Sequence, residues 1–290
     1  MALTINTNIS ALVAQNNLTK STAMLNKAIE RMTTGYKINH AADDAAGYTI
    51  ARNWETQLSS LDIAADNAAT GADMLTTLED NYDLVASHLQ RVRDLTEQAA
   101  NGTYGEDSLK AIKAEITSRL EEVDRIAANC EFNGRHLMDK SITADIKLQV
   151  GINSATESQI SLSSALFDSV KVGEIFKAYS GDNTLDSIED VATACATTAT
   201  AGAALGKIDK VLAEISDRTT TLGAAQNRID SAVESIAVQS ENITSSLSTL
   251  RDADIAEESS RYIQAQILQQ AAATLLSTAN QSPSIALNLI

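Results

Sequence analysis

The chain has 290 residues, a formal net charge of −16 and an aromatic content of 3%. An acidic chain lacks the basic face that phosphate binding requires, so we expect no nucleic-acid partner. The apolar residues are mostly Ala, Leu, Ile and Val, and the one Pro lies near the C-terminus, at Pro283. This composition favours long helices in side-by-side contact over a small globule with an aromatic core.

Neither the N-terminus nor any internal segment predicts membrane targeting. The opening MALTINTNIS has no basic region and no apolar stretch, so we expect no cleavable secretory signal. No window approaches the roughly 20 apolar residues of a membrane span, so we expect no membrane insertion. Cys130 and Cys195 are expected to be free thiols, although one bridge is possible. Composition alone would indicate a soluble cytoplasmic protein.

The first predicted helix covers residues 5–34 and ends before Gly35, a natural C-cap. Its apolar stripe consists of Ile5, Ile9, Leu12, Leu18, Thr22, Leu25, Ile29 and Met32. Beyond it, Asp43 and Asp44 could be a metal or acid–base pair. An acidic first turn that complements the dipole of the next helix explains them better.

Two more helices are predicted in the N-terminal half. The first has a heptad seam, a stripe of positions spaced alternately by three and four, at Leu61, Ala64, Ala68, Gly71, Leu75, Leu78, Tyr82, Val85, Leu89, Val92, Thr96 and Ala99. The second has an apolar stripe at Leu109, Ile112, Ile116, Leu120, Val123 and Ile126. Asp107 or Ser108 is its expected N-cap, and Asn133-Gly134 breaks the chain after it.

A strand-like region follows, and it is the predicted β-hairpin near residues 144–163. Apolar residues alternate there in two runs, at Ile146, Leu148, Val150 and Ile152 and then at Ile160 and Leu162. Residues 173–204 have a weaker pattern and more Gly, Asp, Ser and Thr. We expect a small insertion with one or two short helices there.

The longest heptad seam starts at Leu205. It continues through Ile208, Leu212, Ile215, Thr219, Leu222, Gln226, Ile229, Val233, Ile236, Ser240, Ile243, Leu247 and Leu250. At 1.5 Å per residue, this coiled-coil helix would extend roughly 70 Å. The two helices of the N-terminal half are expected to pack on it.

The C-terminal segment, residues 255–280, matches the N-terminal one. Its apolar residues are Ile255, Tyr262, Ile263, Ile267, Leu268, Leu275 and Leu276. Neither terminal helix could bury its stripe alone, so we expect the two to pair and to bury the remainder against other copies, with frayed ends in the free monomer. The predicted fold is mainly α: a long coiled-coil bundle, or rod, with a small β-hairpin, and terminal helices paired as an inner coiled coil.

The sequence predicts no enzyme. His40, His88 and His136 are isolated, and neither HExxH nor a phosphate-binding glycine motif is present. Cys195 has no nearby base in the sequence, which disfavours a catalytic thiol. We therefore expect no catalytic residue, no cofactor and no metal site.

The motifs at both ends resemble those of bacterial flagellins. The matching stretches are INTN (5–8), AQNN (14–17), TTGYKINHAADDAAG (33–47), LQRVRDLTEQAANGT (89–103), EITSRLEEVDRIA (115–127), FNG (132–134), LGAAQNRIDSAVESI (222–236), RDADIAEES (251–259) and AQILQQAAATLLSTANQ (265–281). The chain departs from the family in its ending, SIALNLI, which lacks a closing basic residue. Ala272 also stands where a Gly is common.

The resemblance implies a domain organisation. Residues 1–43 and 253–290 would form the inner core of a filament. Residues 44–172 and 205–252 would form the rod-like domain, and residues 173–204 would be a minimal variable insertion. Such a short insertion implies a thin, comparatively smooth filament.

The resemblance also implies function and partners. Flagellins polymerise into the extracellular flagellar filament for motility, so the main partner would be the chain itself. They are exported without a cleavable signal through the flagellar type III apparatus, with an export chaperone, and they meet filament cap and junction proteins. A host flagellin-sensing Toll-like receptor would recognise the free subunit.

Two sets of site residues follow. Arg91 and Leu95 with Glu115 carry the family's receptor motif, and Leu84, His88, Arg91, Leu95 and Gln98 form a lateral stripe beside the seam that we interpret as a subunit and receptor contact. The expected polymerisation core is Ile5, Ile9, Leu12, Leu25, Ile29, Ile267, Leu268, Leu275 and Leu276.

Two alternatives stay open at this point. A hook–filament junction protein shares flagellin-like ends. A coiled-coil adaptor that does not assemble would instead form a stable dimer.

Overall fold

A computed structural model describes residues 7–180 and 187–287. In these residues the seven α-helices are α1 (Ile9–Thr34), α2 (Ala45–Ala100), α3 (Glu106–Asn129), α4 (Val172–Ser180), α5 (Ile188–Ala196), α6 (Thr198–Arg251) and α7 (Ile255–Leu287). Two antiparallel hairpins lie between α3 and α4: β1 (Glu131–Phe132) with β2 (Arg135–His136), and β3 (Ile146–Gln149) with β4 (Gln159–Leu162). The predicted mainly α fold with long helices and a small hairpin is confirmed.

The chain forms two compact units. One comprises the described residues of Met1–Leu58 and Ser240–Ile290, and the other comprises those of Ser59–Gln239. Both divisions fall inside continuous helices, α2 and α6, where the sequence carries no breaker. The domain boundaries that the sequence suggested, at 43/44 and 252/253, are different and stay a prediction.

In the unit of residues 59–239, α2 and α3 bury the predicted stripes. Every predicted seam position of α2, from Leu61 to Ala99, is buried. In α3 the predicted positions from Ile112 to Ile126 are buried, while Leu109 is half-buried. The N-cap prediction was wrong: Gly105 precedes α3 and offers no side-chain cap, so Glu106 and Asp107 lie in the first turn, where their charges complement the helix dipole.

The seam of α6 has the predicted period, but only five of the fourteen predicted residues are buried, and Leu205, Ser240, Ile243, Leu247 and Leu250 are half-buried. Ile208, Ile215, Leu222, Ile229 and Ile236 are buried as predicted. The alternate buried positions are Ala201, Ala204, Val211, Arg218 and Ala225, whereas Leu212, Thr219 and Gln226 are half-buried and Val233 is exposed. The prediction followed the large apolar residues of the sequence. Four of the five buried positions that it missed hold Ala or Arg, which are not recognisable as core residues from the sequence.

The predicted hairpin is present with a defined register, but β3 ends at Gln149, so Val150 and Ile152 were wrongly assigned to it. Ile146 lies opposite Leu162, and Leu148 lies opposite Ile160. The hairpin approaches α2 closely, because a Cβ at Gly71 would come within 2.5 Å of Leu148 Cδ1. A larger residue at position 71 would require the Leu148 side chain to shift.

A second, shorter hairpin stands where the sequence suggested only a chain break. Glu131 pairs with His136, and Phe132 pairs with Arg135. The two residues between the strands, Asn133 and Gly134, have φ values of 49° and 77°. Positive φ at both central positions is typical of the two-residue hairpin turns that Asn-Gly favours.

The segment of residues 173–204 contains two short helices, as predicted, but its side chains are part of the core. Ile175 and Phe176 of α4 are buried, as are Val191 and Cys195 of α5. α5 packs on α3, and Lys113 of α3 forms an ion pair with Glu189 of α5. The segment is therefore integral to its unit in the part that the structure describes.

A buried arginine connects α6 to the chain between β4 and α6, residues 163–197, which we call the middle segment. Arg218 is 5% exposed and occupies a seam position of α6. Its Nη1 donates to the Asp168 carbonyl at 2.9 Å and its Nη2 to the Tyr179 hydroxyl at 3.1 Å, while its Nε donates to Glu214 Oε1 at 2.8 Å. Burial opposes the charged form, but Tyr82, Glu214 and Tyr179 outweigh it, so the pKa of Arg218 is raised. The guanidinium stays charged inside the unit.

In the other unit, α1 and α7 pair, as predicted, and their orientation is antiparallel. Three polar contacts mark the register: Asn8 Nδ2 donates to the Ala279 carbonyl at 2.8 Å, Gln269 Nε2 to Thr22 Oγ1 at 3.1 Å and Arg31 Nη1 to Glu258 Oε1 at 3.0 Å. The buried seam is made mostly of small residues at heptad spacing, with Ala14, Ser21 and Ala28 on α1 and Glu258, Ala265 and Ala272 on α7. Small residues let the two helices approach closely.

The connection from α1 to α2 is held by caps. Gly35 ends α1 with φ of 76°, as predicted. Asp44 Oδ1 accepts from the amides of Ala46 and Gly47, and it therefore caps α2 rather than lying in its first turn. Asp43 forms an ion pair with Lys27 at 2.6 Å. The expectation that both aspartates form an acidic first turn was therefore wrong.

We expect Arg218→Ala to destabilise the subunit by about 2–4 kcal/mol, because the half-buried Asp168 carbonyl and Tyr179 hydroxyl lose their partner and a cavity replaces the buried side chain. Urea unfolding followed by circular dichroism measures the change. Arg228→Ala, at an exposed arginine of the same helix, should change stability by less than about 0.5 kcal/mol. Equal losses in both variants would contradict a special role for the buried arginine.

Asp43 predicts a pH dependence of stability. The hydrogen bond from Lys27 lowers the pKa of Asp43 from 3.8 to about 2. Its contribution is therefore full above the unfolded pKa and is lost as pH falls through the folded pKa. We expect Asp43→Asn to cost about 1 kcal/mol at pH 7, since the Lys27 side chain is 49% exposed and water screens the ion pair. The difference from wild type should shrink between pH 4 and pH 2. A constant difference across that range, measured by urea unfolding, would refute the linkage.

Candidate functional site

The outer faces of α1 and α7 expose large apolar side chains. On α1 they are Ile9, Leu12, Val13, Met24 and Ile29, and on α7 they are Ile255, Ile263, Ile267, Leu268 and Leu275. Ile9 is 68% exposed and Leu275 is 63% exposed. Exposed apolar residues in this number on two paired helices indicate a surface that contacts another molecule. We call these ten residues the terminal apolar surface.

Most of the residues that the sequence assigned to polymerisation lie on this surface. Ile9, Leu12, Ile29, Ile267, Leu268 and Leu275 are exposed. Leu25 and Leu276 are half-buried and lie at seam positions between α1 and α7. Ile5 lies outside the described residues. Their role in subunit contact stays a prediction.

Val13 and Met24 belong to the terminal apolar surface but not to the predicted set. Both lie away from the stripe spaced by three and four that defined the sequence prediction. The sequence signal that could have identified Val13 and Met24 is a large apolar residue on a helix face that is otherwise polar.

The second candidate surface is one side of α2 and the adjoining face of α3. Arg91 Nε donates to Glu115 Oε1 at 3.0 Å, and both side chains are partly exposed. Leu84, at 52% exposure, and Gln98 are exposed on the same helix. His88 is half-buried, and its Nδ1 has no hydrogen-bond partner. Arg91 and Glu115, predicted to lie side by side, are thus brought together.

Leu95 does not lie on that surface, and the prediction of an exposed position was wrong. Its side chain is 2% exposed and belongs to the same buried cluster as Val191 and Cys195 of α5. Cys195 faces Thr96, the next residue of α2. α2 therefore buries both Leu95 and Thr96, because it has neighbours on more than one side at this level.

Three further observations concern possible metal binding, thiol reactivity and membrane insertion. No group of three or more potential metal ligands occurs among them. Burial raises the pKa of the Cys130 and Cys195 thiols to about 11, which makes both poor nucleophiles at neutral pH. No helix in the described part of the chain has the length and apolarity needed to cross a membrane.

The fold and the two surfaces define a helical structural protein with an exposed apolar face at its paired ends. The profile of the bacterial flagellin N-terminal helical region matches residues 5–143, and that of the flagellin C-terminal helical region matches residues 205–290. The chain belongs to the flagellin family. Members of this family are structural proteins and form the extracellular flagellar filament.

Full-length relatives agree with this assignment. The chain is 37% identical to a flagellin of Xenorhabdus nematophila over 313 aligned residues, with 100% of both chains covered. It is 32% identical to a flagellin of Bacillus subtilis strain 168 over 302 residues, with 99% of each chain covered. Both alignments include the middle segment.

The fold resembles a solved structure titled as a flagellar hook-associated protein from Vibrio parahaemolyticus. The TM-score is 0.60, and the match covers 72% of this chain and 100% of that one at 18% identity. At this identity, the similarity concerns the fold alone.

Proposed function

We propose that the chain polymerises into the flagellar filament by burying its terminal apolar surface against neighbouring copies of the chain. The observation that carries the proposal is the exposure of ten large apolar side chains on the paired helices α1 and α7. A single subunit in water leaves this area solvated, at a cost of about 25 cal/mol for each Å² that a neighbour could bury.

The seam within one chain leaves this surface available. Small side chains fill the contact between α1 and α7, and Ala265 and Ala272 are 1% and 5% exposed. The large residues consequently point away from the pair. Contacts of one surface patch with a different patch on the next copy generate open helical assemblies, which is the symmetry of a filament.

Export and the other partners belong to the same proposal. The subunit is taken through the flagellar type III apparatus with an export chaperone, and it contacts the filament cap and junction proteins. Support comes from the family assignment together with the terminal helices, whose seam buries little apolar area and so is easily opened for transport.

Recognition by a host flagellin-sensing Toll-like receptor is also proposed, with a revised surface. Arg91 and Glu115 form an exposed ion pair with Gln98 and Leu84 on the same side of α2. Leu95 lies beneath this surface and supports it from the core. The receptor would therefore contact the Arg91–Glu115 ion pair and not the buried Leu95 side chain of the folded subunit.

The alternatives are less well supported. A hook–filament junction protein accounts for the fold, but the chain is 37% identical to a flagellin along its whole length. A coiled-coil adaptor that does not assemble leaves the terminal apolar surface without a role.

We expect Leu275→Asp to prevent filament growth while residues 59–239 stay folded, because a carboxylate replaces an exposed apolar contact without touching the core of that unit. Electron microscopy of subunits added to short filament seeds measures growth, and circular dichroism measures folding. Ser277→Asp, at an exposed polar position of the same helix, is the matched control and should polymerise. Normal filaments from Leu275→Asp would refute the proposed surface.

For the receptor, we expect Arg91→Ala to weaken signalling in reporter cells by about tenfold with unchanged subunit stability, as is typical of an interface arginine. Arg125→Ala, at another exposed, ion-paired arginine, should signal like wild type. Leu95→Ala should instead lower the free energy of unfolding by about 2–4 kcal/mol, because it opens a cavity in the core. A wild-type subunit that gives no response would end the receptor proposal.

A further inference from the structure

The sequence contains two Asn-Gly steps, Asn101-Gly102 and Asn133-Gly134, and the structure places them in different surroundings. An asparagine followed by glycine is open to a reaction of the chain with itself, because glycine has no Cβ to obstruct its own amide nitrogen. That nitrogen can attack the side-chain carbonyl carbon of the asparagine. Whether it does so in a folded protein depends on the rotation that the backbone allows at the asparagine.

Asn101-Gly102 lies in the loop between α2 and α3, where Asn101, Gly102 and Thr103 are all exposed. The Asn101 amide donates to the Gln98 carbonyl at 3.1 Å, and the Asn101 carbonyl accepts from the Tyr104 amide at 3.4 Å, so the chain leaves α2 in a turn. No hydrogen bond among the described residues uses the Gly102 amide. A Cβ at Gly102 would meet no atom within 4 Å. The nitrogen that would attack is therefore unbonded and unobstructed.

The Asn101 side chain is already folded over this turn. Its Oδ1 accepts from the Thr103 amide at 3.3 Å, which is the contact of an Asx turn. The contact keeps the side-chain carbonyl near the peptide group that follows Asn101, and the donated hydrogen bond draws electrons away from the carbon that is attacked. The hydrogen bonds to the two Asn101 oxygens are long and exposed, so rotation about its Cα–C bond has a low cost.

Asn133-Gly134 forms the turn between β1 and β2, and its backbone is fixed. The φ values are 49° at Asn133 and 77° at Gly134. In a hairpin turn of this kind the first residue has ψ of roughly +30°, which puts its Cβ and the next amide nitrogen on opposite sides of the Cα–C bond. Formation of a ring between them requires both on the same side. The Leu137 amide donates to the Cys130 carbonyl at 2.9 Å, and Leu137 is fully buried, so rotation at Asn133 would have to open a held hairpin.

We propose that Asn101-Gly102 is a site of spontaneous deamidation in the folded subunit, whereas Asn133-Gly134 is protected by its turn. The Gly102 nitrogen loses its proton and bonds to Cγ of Asn101, and the Cγ–Nδ2 bond breaks, so that ammonia leaves and a cyclic imide remains. Water then opens the imide. Opening at Cγ gives aspartate, and opening at the main-chain carbonyl gives isoaspartate, in which Gly102 is bonded through Cγ. Overall, an amide and water become a carboxylate and ammonium, with no oxidation or reduction.

The reaction changes the end of α2. A carboxylate would stand directly after Ala100, the last residue of the helix, where the helix dipole opposes a negative charge. Isoaspartate also adds one atom to the main chain and so displaces the turn from Asn101 to Tyr104. Gln98 of the second candidate surface accepts from the Asn101 amide, so the edge of that surface would differ between new and aged subunits. The reaction needs neither another copy nor a receptor, and it therefore goes beyond the proposed function.

Peptide mapping by mass spectrometry tests the site. The full-length subunit is kept in mildly alkaline buffer, with its folding checked by circular dichroism, and is then digested under acidic conditions that stop the reaction. We expect Asn101 to convert to aspartate and isoaspartate about tenfold faster than Asn133, because only Asn133 must wait for local opening. The rate at Asn101 should rise with pH, since the attacking amide has to lose its proton.

Two controls assign the difference to the fold. In urea, where both turns are lost, the two sites should convert at similar rates, because each asparagine is followed by glycine. Gly102→Ala should slow conversion at Asn101 and leave conversion at Asn133 unchanged. The added methyl group obstructs the attacking nitrogen, yet it has open space in the folded protein and φ at Gly102 is not positive.

Three results would overturn the inference: an Asn101 that stays intact in the folded subunit while it converts in urea, equal rates at the two sites in the folded subunit, or conversion of Asn101 that Gly102→Ala does not slow. Hydrogen exchange tests the consequence for α2. After conversion, the peptide that ends at Ala100 should exchange faster than in the fresh subunit, and unchanged exchange would show that the end of the helix is unaffected.

Discussion

The unit of residues 59–239 depends on the continuous buried stripe of α2 between Leu61 and Ala99. α3, the β3–β4 hairpin and the seam of α6 contribute to the same core, and α5 faces α2 at the level of Thr96. Each of these elements buries its apolar side only because that stripe offers a long, unbroken partner. The hairpin lies close to α2 at Gly71, where an added methyl group would require the Leu148 side chain to shift.

Both helical seams also contain a charged residue where an apolar one would ordinarily stand. Arg218 bonds to groups on the middle segment, and Glu258 bonds to an arginine of the other terminal helix. Such groups add little net stability compared with apolar residues of the same size. They make wrong pairings costly, because any arrangement that separates the partners leaves a charge buried alone. This specificity for the correct helix pairing matters here, because seams rich in Ala offer few large side chains that would fix the register.

The sequence predicted the long helices and the β3–β4 hairpin because their signals are periodic and local, and it missed the β1–β2 hairpin, whose two-residue strands are too short to show a period. The seam of α2 was predicted in full, whereas α6 was assigned the wrong alternate positions, since Ala225 and Arg218 do not look like core residues. Leu95 was misplaced for a different reason. A single heptad seam marks the side of a helix that packs on one neighbouring element, whereas α2 packs against several elements. The burial of Leu95 depends on the packing of the middle segment, which no local pattern encodes. The proposed subunit-contact role of the exposed residues on α1 and α7 came from the family resemblance alone. It depends on contacts with other copies of the chain, which the pattern of one sequence does not contain.

The two native cysteines have a practical consequence for work on this protein. Cys130 and Cys195 are 2% and 1% exposed, and their thiols remain protonated at neutral pH. A maleimide dye reacts with accessible thiolates, so it would label neither Cys130 nor Cys195 in the folded subunit. One cysteine introduced at an exposed position would carry the dye alone, so individual subunits could be followed by fluorescence without first removing either native thiol from the core.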